Sequence, residues 1–382
     1  MGIYLDNAAT SFPKPEAVYR AVLDAMRRVG ASAGRSTYRR ALEAERLVFE
    51  ARLALCRLFN IADPTRLVFT ANATEALNLA LKGFLRPGDE VVTSSVEHNA
   101  VWRPLKVLER TRGIVVTAVP CQKDGTLPLE ALEKALGPRT RLVVLTHASN
   151  VVGTLLPVAE AGRLTRPRGI VFLVDAAQTA GVYPIDVEAM NIDLLAFTGH
   201  KGLLGPMGTG GLYVREGVEL VPLKEGGTGG QSLLEEQPST LPERYEAGTM
   251  NVPGLAGLKA GVETLVAEGV DRVRKREKEL TAYALQELAS IPGLVLYGPG
   301  EAERQVGIVS FNLEGLEADR VALLLDRVYD IQVRAGLHCA PQAHRTIGTL
   351  EQGTVRVGLG YFNREGDVKA LVRALRALRA AN

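Results

Sequence analysis

The feature of this sequence that most constrains its fold is the alternation of short apolar runs with helical stretches over residues 67–214. Seven runs are rich in apolar and β-branched residues and are bounded by Gly, Pro or polar residues, as strands are. These runs are Leu67–Thr70, Glu90–Ser94, Ile114–Val119, Leu142–Thr146, Ile170–Val174, Leu194–Phe197 and Gly211–Val214. Apolar residues at helical spacing lie between many of them, in Ala73–Phe84, Ala100–Arg110, Pro128–Ala135 and Val158–Leu164. This alternation predicts an α/β fold with a mostly parallel seven-stranded sheet, covered on both faces.

A second, smaller unit is expected after this sheet, because 382 residues are long for one domain. Gly226–Leu241 is rich in Gly and Ser and is interpreted as a mobile loop, and Pro253 opens a helical region that runs to about Ser290. The candidate elements that follow are strands at Leu294–Tyr297, Ile308–Asn312, Gln332–Arg334 and Thr354–Val357 and a terminal helix at Asp367–Ala380. We therefore predict a large domain over residues 15–252 and a small C-terminal α/β domain over residues 253–382, which residues 1–14 join.

The charge and cysteine content narrow the classes of function. The formal net charge is +2 with both signs interspersed, so neither a nucleic-acid partner nor a membrane surface is expected. No apolar run approaches the ~18 residues of a membrane-spanning helix, and the first residues do not resemble a secretory signal. The three cysteines, Cys56, Cys121 and Cys339, are widely and irregularly spaced. This spacing argues against a disulfide framework and favours a reducing, cytoplasmic setting.

Two polar residues lie just beyond the ends of two of the predicted strands. Asp175 comes after Ile170–Val174, and Lys201 comes shortly after Leu194–Phe197. Ligands of open parallel sheets collect beyond the carboxyl ends of the strands. A lysine and a carboxylate at that edge suit pyridoxal 5'-phosphate (PLP), because the lysine would hold the aldehyde covalently and the carboxylate would keep the pyridine nitrogen protonated. From spacing alone, an Asp–Lys ion pair that closes two loops is an equally good interpretation.

Two further positions are candidates for contacts with a ligand. The segment 70–75 follows a strand and opens a helix, with Asn72 or Thr74 as its cap, so its first amides could bind a phosphate. Capping without any ligand is the simpler interpretation. His98 also follows a strand end, where it could stack on a planar ring or shuttle protons. A structural histidine is the alternative.

At this point the order of motifs along nearly the whole chain resembles the class V aminotransferase superfamily of fold-type I PLP enzymes, and specifically the cysteine desulfurases and selenocysteine lyases. The motifs that carry the resemblance are Leu5–Thr10, Ala73–Asn78, Glu97-His98, Ser149–Thr154, Asp175–Gln178, Thr198–Lys201, Glu246–Thr249 and Arg334–Ala340. Each motif is modest, but the ordered set is highly specific. The resemblance implies a fold-type I enzyme that forms a homodimer with its active sites at the subunit interface.

The resemblance also implies a role for individual residues. Lys201 would carry the cofactor, Asp175 would pair with the pyridinium, and His98 would stack on the ring. The remaining cofactor-binding residues would be Ala73, Thr74, Asn150, Gln178, Thr198 and His200, with Thr249 reaching the phosphate from the partner subunit. Arg356 would hold the substrate carboxylate, a task that suits the planar guanidinium fork, with Asn150 and Arg334 also at the substrate. Many relatives have Gly-Thr-Thr where this chain has Asn72-Ala73-Thr74, so one phosphate-binding hydroxyl is missing.

Cys339 decides the expected reaction. A desulfurase needs a thiolate that attacks the sulfur of the PLP-bound cysteine and leaves a persulfide and alanine. Cys339 lies in a loop of small residues, beside His338 as a potential proton partner and near Arg334, which would favour the thiolate. A buried structural cysteine is the alternative, and that description suits Cys56 and Cys121 better. The setting of Cys339 resembles the subgroup of desulfurases that work with a separate sulfur acceptor.

The favoured function is therefore a PLP-dependent cysteine desulfurase that converts L-cysteine to L-alanine and passes sulfur through Cys339 to an acceptor. A selenocysteine lyase, another C–S lyase, an epimerase or an aminotransferase of the same superfamily stays open, because the same scaffold handles both sulfur and selenium. A non-catalytic PLP-binding module is disfavoured, since Lys201, Asp175, His98 and Cys339 are all present. No zinc site is expected, because the His and Cys residues do not form a tetrahedral ligand set.

Overall fold

The computed structural model describes residues 2–34 and 36–381, so Met1, Arg35 and Asn382 lie outside the described residues. In chain order, its first helices and strands are β1 (Ile3–Tyr4), α1 (Glu16–Asp24), α2 (Arg39–Phe59), β2 (Leu67–Thr70), α3 (Ala73–Phe84), β3 (Glu90–Ser94), α4 (Asn99–Arg112), β4 (Val115–Val119), α5 (Leu129–Ala135), β5 (Thr140–Thr146), α6 (Val158–Thr165), β6 (Val171–Asp175), β7 (Leu194–Thr198) and β8 (Gly210–Val214). Each of the predicted strands and helices up to residue 214 is present, with bounds that differ by at most two residues.

Seven of these strands form one sheet in the order β2-β8-β7-β6-β5-β3-β4. β8 runs antiparallel to both of its neighbours, whereas the pairs from β7 to β4 are parallel. The central strands are buried along their whole length, as in β7 and β8. Helices therefore cover both faces, as near-continuous apolar strands require. The predicted α/β fold with a mostly parallel seven-stranded sheet is confirmed.

The remaining elements build a second sheet. They are α7 (Val252–Glu268), α8 (Val270–Ala289), β9 (Leu294–Tyr297), β10 (Ile308–Leu313), α9 (Ala318–Tyr329), β11 (Ile331–Gln332), β12 (Arg334–Gly336), α10 (Pro341–Ile347), β13 (Thr354–Gly358) and α11 (Glu365–Ala380). The strand order β12-β13-β10-β9 is antiparallel throughout. β1 pairs in parallel with β11, so the start of the chain packs with the C-terminal sheet and shares its apolar core.

Three details of this part differ from the sequence prediction. The helical region after Pro253 is two helices, because Gly269 at their junction adopts a left-handed backbone with φ of 86°. The strand predicted at 332–334 is two short strands, β11 and β12, that belong to different sheets. Helices α9 and α10 were not predicted.

Residues 215–251 contain no helix or strand. None of the described helices is long and apolar enough to cross a membrane.

Candidate active site

The carboxyl ends of β5, β6 and β7 and the first turn of α3 line a cavity of about 90 Å³. All residues predicted to bind the cofactor line this cavity except Thr249; they are Ala73, Thr74, His98, Asn150, Asp175, Gln178, Thr198, His200 and Lys201. These residues are far apart in the sequence. They meet because the parallel strands all end at the same edge of the sheet, where connecting loops carry the polar side chains.

Asp175 and Lys201 lie in this cavity as a coupled pair of charges. Burial raises the pKa of Asp175, which is 3% exposed, while the backbone N–H of Ala177 (2.9 Å from Oδ1) and the charge of Lys201 act to lower it. Burial lowers the pKa of Lys201 to about 8, and the Asp175 carboxylate opposes that shift. The lysine therefore releases its proton more readily than a free lysine does, and the carboxylate is suited to a cationic N–H partner.

The first turn of α3 is an anion-binding end of the cavity. Asn72 caps the helix by accepting the N–H of Glu75 at 2.9 Å through its side chain. The amides of Ala73 and Thr74 come at the start of the helix, where no earlier carbonyl in the helix can accept from them. Gly210 in β8 allows this approach, because a Cβ there would lie 2.8 Å from the Asn72 backbone. Two amides without a partner among the described residues, at the positive end of the helix dipole, suit a phosphate.

His98 is held in one tautomer. It caps α4, and its Nδ1 accepts the backbone N–H of Ala100 at 3.0 Å, so the proton of the neutral ring is on Nε2. Burial, followed by the charge of Lys201, lowers the pKa of His98 to about 4. The ring is therefore neutral near pH 7. A neutral ring with a fixed tautomer suits stacking on a planar ligand better than proton shuttling.

His200 offers an unused polar atom at the same cavity. Its Nδ1 is buried and has no hydrogen-bond partner among the described residues. Burial, with the charges of Lys201 and Lys14, lowers the pKa of His200 to about 4. A buried ring nitrogen without a partner is costly, so it is expected to bond to a ligand.

A second group of residues, on β12 and β13, prepares the site for an anion. Arg334 and Arg356 are direct cross-strand partners, and Arg356 is 1% exposed. Burial lowers the pKa of Arg356, with Arg334 acting in the same direction and Asp6 opposing it. Arg356 donates to Asp6 Oδ1 and to the Asn150 carbonyl, both at 2.9 Å, and its Nε has no partner among the described residues. Like charges directly opposite each other repel, and a negatively charged ligand between the two arginines would relieve that repulsion.

Cys339 is exposed on the loop between β12 and α10. His338 and Cys339 both have left-handed backbones, with φ of 48° and 58°. Two contacts tie this loop to the cavity: Asn99 N–H donates to the Cys339 carbonyl at 2.9 Å, and Asn150 Nδ2 donates to the His338 carbonyl at 2.6 Å. Arg334 Nη2 lies 3.8 Å from Cys339 Sγ. Left-handed backbones of non-glycine residues are uncommon and concentrate at functional sites.

His338 is not placed as the proton partner that the sequence suggested. Its Nε2 lies 3.1 Å from both the carbonyl and the hydroxyl of Thr354, and burial, with Arg356 next, lowers its pKa to about 2. A neutral, buried imidazole that bonds to a backbone carbonyl anchors the loop. The charged neighbour of the Cys339 thiol is instead Arg334.

The other two cysteines are shielded. Cys56 is buried in α2, and burial raises its pKa to about 11. Cys121 is partly buried, and burial likewise raises its pKa to about 11. Both thiols keep their protons at neutral pH, so neither is a ready nucleophile.

Thr249 is the predicted cofactor-binding residue that the single chain does not bring to the cavity. It is exposed and lines a different surface pocket with Glu75 and Lys224. The segment before Thr249 is anchored by a buried ion pair between Glu246 and Arg52. The Glu246 carboxylate accepts hydrogen bonds from Arg52 Nη1 at 2.8 Å and from Arg52 Nη2 at 2.9 Å.

The structure adds residues to the site that the sequence motifs did not assign. Asp6 contacts Arg356, and Ser11 and Lys14 contact the backbone of His200 and Lys201. In the sequence, only the polar residues shortly after the strand β1 point to these contacts. These residues predict a strand end but not which distant residues they meet.

The residues present fit PLP. The cavity combines a lysine with a lowered pKa, a buried carboxylate, a free buried imidazole nitrogen and an uncommitted helix N-terminus. These groups match the aldehyde, pyridine nitrogen and phosphate of that cofactor. Among the described residues, no cluster of His, Cys, Asp or Glu could hold a metal ion.

Comparisons with known proteins agree with this chemistry. The family model of aminotransferase class-V matches residues 3–371. A probable cysteine desulfurase from Methanothermobacter thermautotrophicus is 37% identical over 379 residues, which cover 98% of this chain and 94% of that protein. The apo structure of a cysteine desulfurase from Thermococcus onnurineus NA1 superposes with a TM-score of 0.94 at 33% identity, covering 100% of this chain and 95% of that one. An S-sulfonic acid form of a cysteine desulfurase from Escherichia coli superposes with a TM-score of 0.88 at 31% identity, covering 99% and 95% of the two chains. Members of this family depend on PLP, and the chain belongs to the class-V aminotransferase family, in its cysteine desulfurase group.

Proposed function

We propose that this protein is a PLP-dependent cysteine desulfurase that converts L-cysteine to L-alanine and receives the sulfur on Cys339. The observation that carries the proposal is the placement of Cys339. Of the three thiols, this one is exposed, and its loop is bonded to the cavity through Asn99 and Asn150. Relatives named as cysteine desulfurases support the same activity.

PLP, when bound, supplies an electron sink that stabilises negative charge developing on the substrate. Lys201 would hold it covalently, and Asp175 would keep its pyridine nitrogen protonated. The α3 amides of Ala73 and Thr74 would bind its phosphate, with Thr198 and His200 at the same end. His98 would lie against the ring, and Gln178 would hydrogen-bond to the ring hydroxyl.

Arg356 would bind the carboxylate of L-cysteine. Its buried guanidinium is already oriented by Asp6 and by the carbonyl of Asn150, so little rotamer freedom remains to be lost on binding. The Nε–H that has no partner among the described residues is a donor for the incoming carboxylate. Arg334, opposite Arg356, would contribute a second positive charge to hold an anionic substrate.

Cys339 would act as the sulfur nucleophile. Its thiolate attacks the substrate sulfur, an S–S bond forms, the substrate C–S bond breaks, and its electron pair stays on carbon, which then takes a proton. The balance is L-cysteine plus a Cys339 thiol giving L-alanine plus a Cys339 persulfide. Arg334 Nη2, 3.8 Å from Sγ, is a positively charged group beside the attacking sulfur. Because Cys339 is exposed, a separate acceptor protein could then take the sulfur.

The decisive experiment is mass spectrometry of the protein after brief incubation with L-cysteine. We expect one added sulfur on the peptide that contains Cys339. Cys339→Ser should still bind PLP and L-cysteine but release almost no alanine, since oxygen is a far poorer nucleophile toward sulfur. Cys56→Ser and Cys121→Ser are matched controls and should retain nearly full activity. An unmodified Cys339 peptide together with normal alanine release by Cys339→Ser would refute the proposal.

We also propose that the protein is a homodimer in which Thr249 reaches the cofactor phosphate of the partner subunit. Two features support this. Thr249 is exposed and away from the cavity of its own chain, yet the Arg52–Glu246 pair fixes the segment that carries it. In addition, α1 and α2 leave large apolar side chains exposed, such as Tyr19, Leu23 and Phe49, which is typical of an interface. A fully active monomer in solution would refute this proposal.

A further inference from the structure

The segment 10–14 is bonded to the backbone of the turn that carries Lys201. The Ser11 backbone N–H donates to the His200 carbonyl at 3.0 Å, and Thr10 Oγ1 donates to the same carbonyl at 3.1 Å. The Ser11 hydroxyl donates to the Lys201 carbonyl at 2.8 Å. These bonds join residues 189 or 190 positions apart in the sequence. The turn after β7 is therefore stabilised by hydrogen bonds from the segment 10–14 as well as by hydrogen bonds within the turn.

Lys14 adds a charged bond to the same turn. Its Nζ lies 2.8 Å from the His200 carbonyl and 2.7 Å from the Ser11 hydroxyl, which can accept from it while donating to Lys201. Both partners are neutral. Burial is the cause of its lowered pKa of about 8, and no carboxylate in the described part of the chain acts against it.

A partly buried ammonium whose partners are neutral costs free energy that an uncharged side chain would avoid. Its three N–H groups, however, are strong donors to a carbonyl in a place shielded from water. The contact is with the peptide immediately before Lys201. Any movement of that peptide shifts the Lys201 side chain relative to Asp175.

The same segment also contacts the substrate-binding side. Asp6 bonds to Arg356 at 2.9 Å, and Asp6 forms an isolated parallel β-bridge with Gly358 at the end of β13. Residues 6–14 thus connect the arginine on the C-terminal sheet with the lysine on the seven-stranded sheet. Lys14 is the charged end of that connection on the lysine side.

We infer that Lys14 is a positioning residue for the cofactor lysine: its ammonium clamps the His200–Lys201 peptide and so fixes where the Lys201 amine lies in the cavity. This inference rests on the proposed function for its catalytic consequence. The geometry of the clamp itself does not depend on which substrate is used. A substrate carboxylate would be held by Arg356, so loss of Lys14 should affect turnover more than substrate affinity.

The test compares Lys14→Met, which removes the charge and donors, with Lys14→Arg, which retains them. Lys275→Met, at an exposed position of α8, is the control for loss of a lysine. The first readout is amide hydrogen exchange in the full-length protein, with and without PLP. It follows the N–H groups of Leu204 and Gly205, which close the turn through the carbonyls of Lys201 and Gly199. We expect Lys14→Met to speed their exchange about tenfold, and Lys14→Arg and Lys275→Met to leave it within about twofold of wild type.

The second readout is the steady-state kinetics of alanine release. Lys14→Met should lower kcat about tenfold with KM for L-cysteine changed less than about twofold, and Lys14→Arg should recover most of kcat. Should Lys14→Met fail to fold, Ser11→Ala removes the bond to the Lys201 carbonyl and is expected to speed the same exchange. Exchange and kcat that match wild type in Lys14→Met would overturn the inference, as would a loss confined to KM. A wild-type protein that makes no alanine would refute the proposed desulfurase activity, while the exchange data would still decide the role of Lys14.

Discussion

Asp175 must remain ionised in a place that disfavours charge, and this makes it a sensitive residue to substitute. Burial raises its pKa, and a pyridinium N–H would supply the compensating charge. An amide at this position has the same shape but cannot hold the pyridine proton. We therefore expect Asp175→Asn to retain PLP, seen by its absorbance, and to lose more than about tenfold in kcat/KM, or ~1.4 kcal/mol. A smaller loss would mean that Asp175 serves only to close the loop.

Glu97, next to His98, should make stability depend on pH. It is 0% exposed, and burial raises its pKa to about 8, although the Ser94 hydroxyl and the Thr146 N–H donate to it. Between pH 4.5 and 8 the folded protein keeps a proton that the unfolded chain has released. The contribution of this group to stability is therefore lost as pH rises through that window.

Glu97→Gln removes this titration. From pH 5 to pH 8, wild-type protein should lose about 2 kcal/mol or more of unfolding free energy beyond what the variant loses. Urea unfolding of the PLP-free proteins at the two pH values measures the difference. Parallel pH profiles for the two proteins would show that Glu97 is ionised in the fold at pH 5.

At the scale of elements, the approach of α3 to β8 should control phosphate binding. A Cβ on Gly210 would lie 2.8 Å from both the Asn72 backbone and the Phe197 carbonyl, so Gly210→Ala must push the helix start away. We expect the dissociation constant for PLP to rise about tenfold or more, with a lower Tm. Gly366→Ala in α11, where a Cβ meets nothing within 4 Å, is the control and should leave both values near wild type.

The sequence predicted the elements and strand ends well, because these depend on local patterns. Asp175 and Lys201 could be placed since each lies at or shortly after the end of a buried strand. The contact between Asp6 and Arg356 could not, because 350 positions separate them and nothing local encodes the pairing. The left-handed backbone of His338 and Cys339 was also beyond reach, since neither is the glycine that usually signals it. The sequence also could not show that His338 packs against Thr354 instead of serving as a proton partner, because that contact depends on tertiary packing.

At the scale of the whole molecule, the described chain brings every predicted cofactor residue to one cavity except Thr249. The loop that carries Thr249 is held in place and exposed, yet Thr249 does not line the cavity of its own chain. The Arg52–Glu246 pair is buried, and Arg52 also stacks over Phe69 at 4.6 Å. Buried pairs of this kind are weak evidence for stability but often fix one arrangement of the chain. Here the arrangement they fix presents Thr249 outward.

Mixing two inactive variants tests whether Thr249 acts across the subunit interface. Lys201→Met cannot hold the cofactor, and Thr249→Asp places a carboxylate where a phosphate is expected, so each homodimer should be nearly inactive. If Thr249 serves the partner's site, a mixed dimer contains one site with both native residues and one site with neither. Random reassortment makes half of the dimers mixed, so about a quarter of wild-type alanine release should return. The readout is activity after co-refolding, with subunit exchange verified by differently tagged chains. If Thr249 served its own site, every site in the mixture would carry one defect, and mixing would restore nothing.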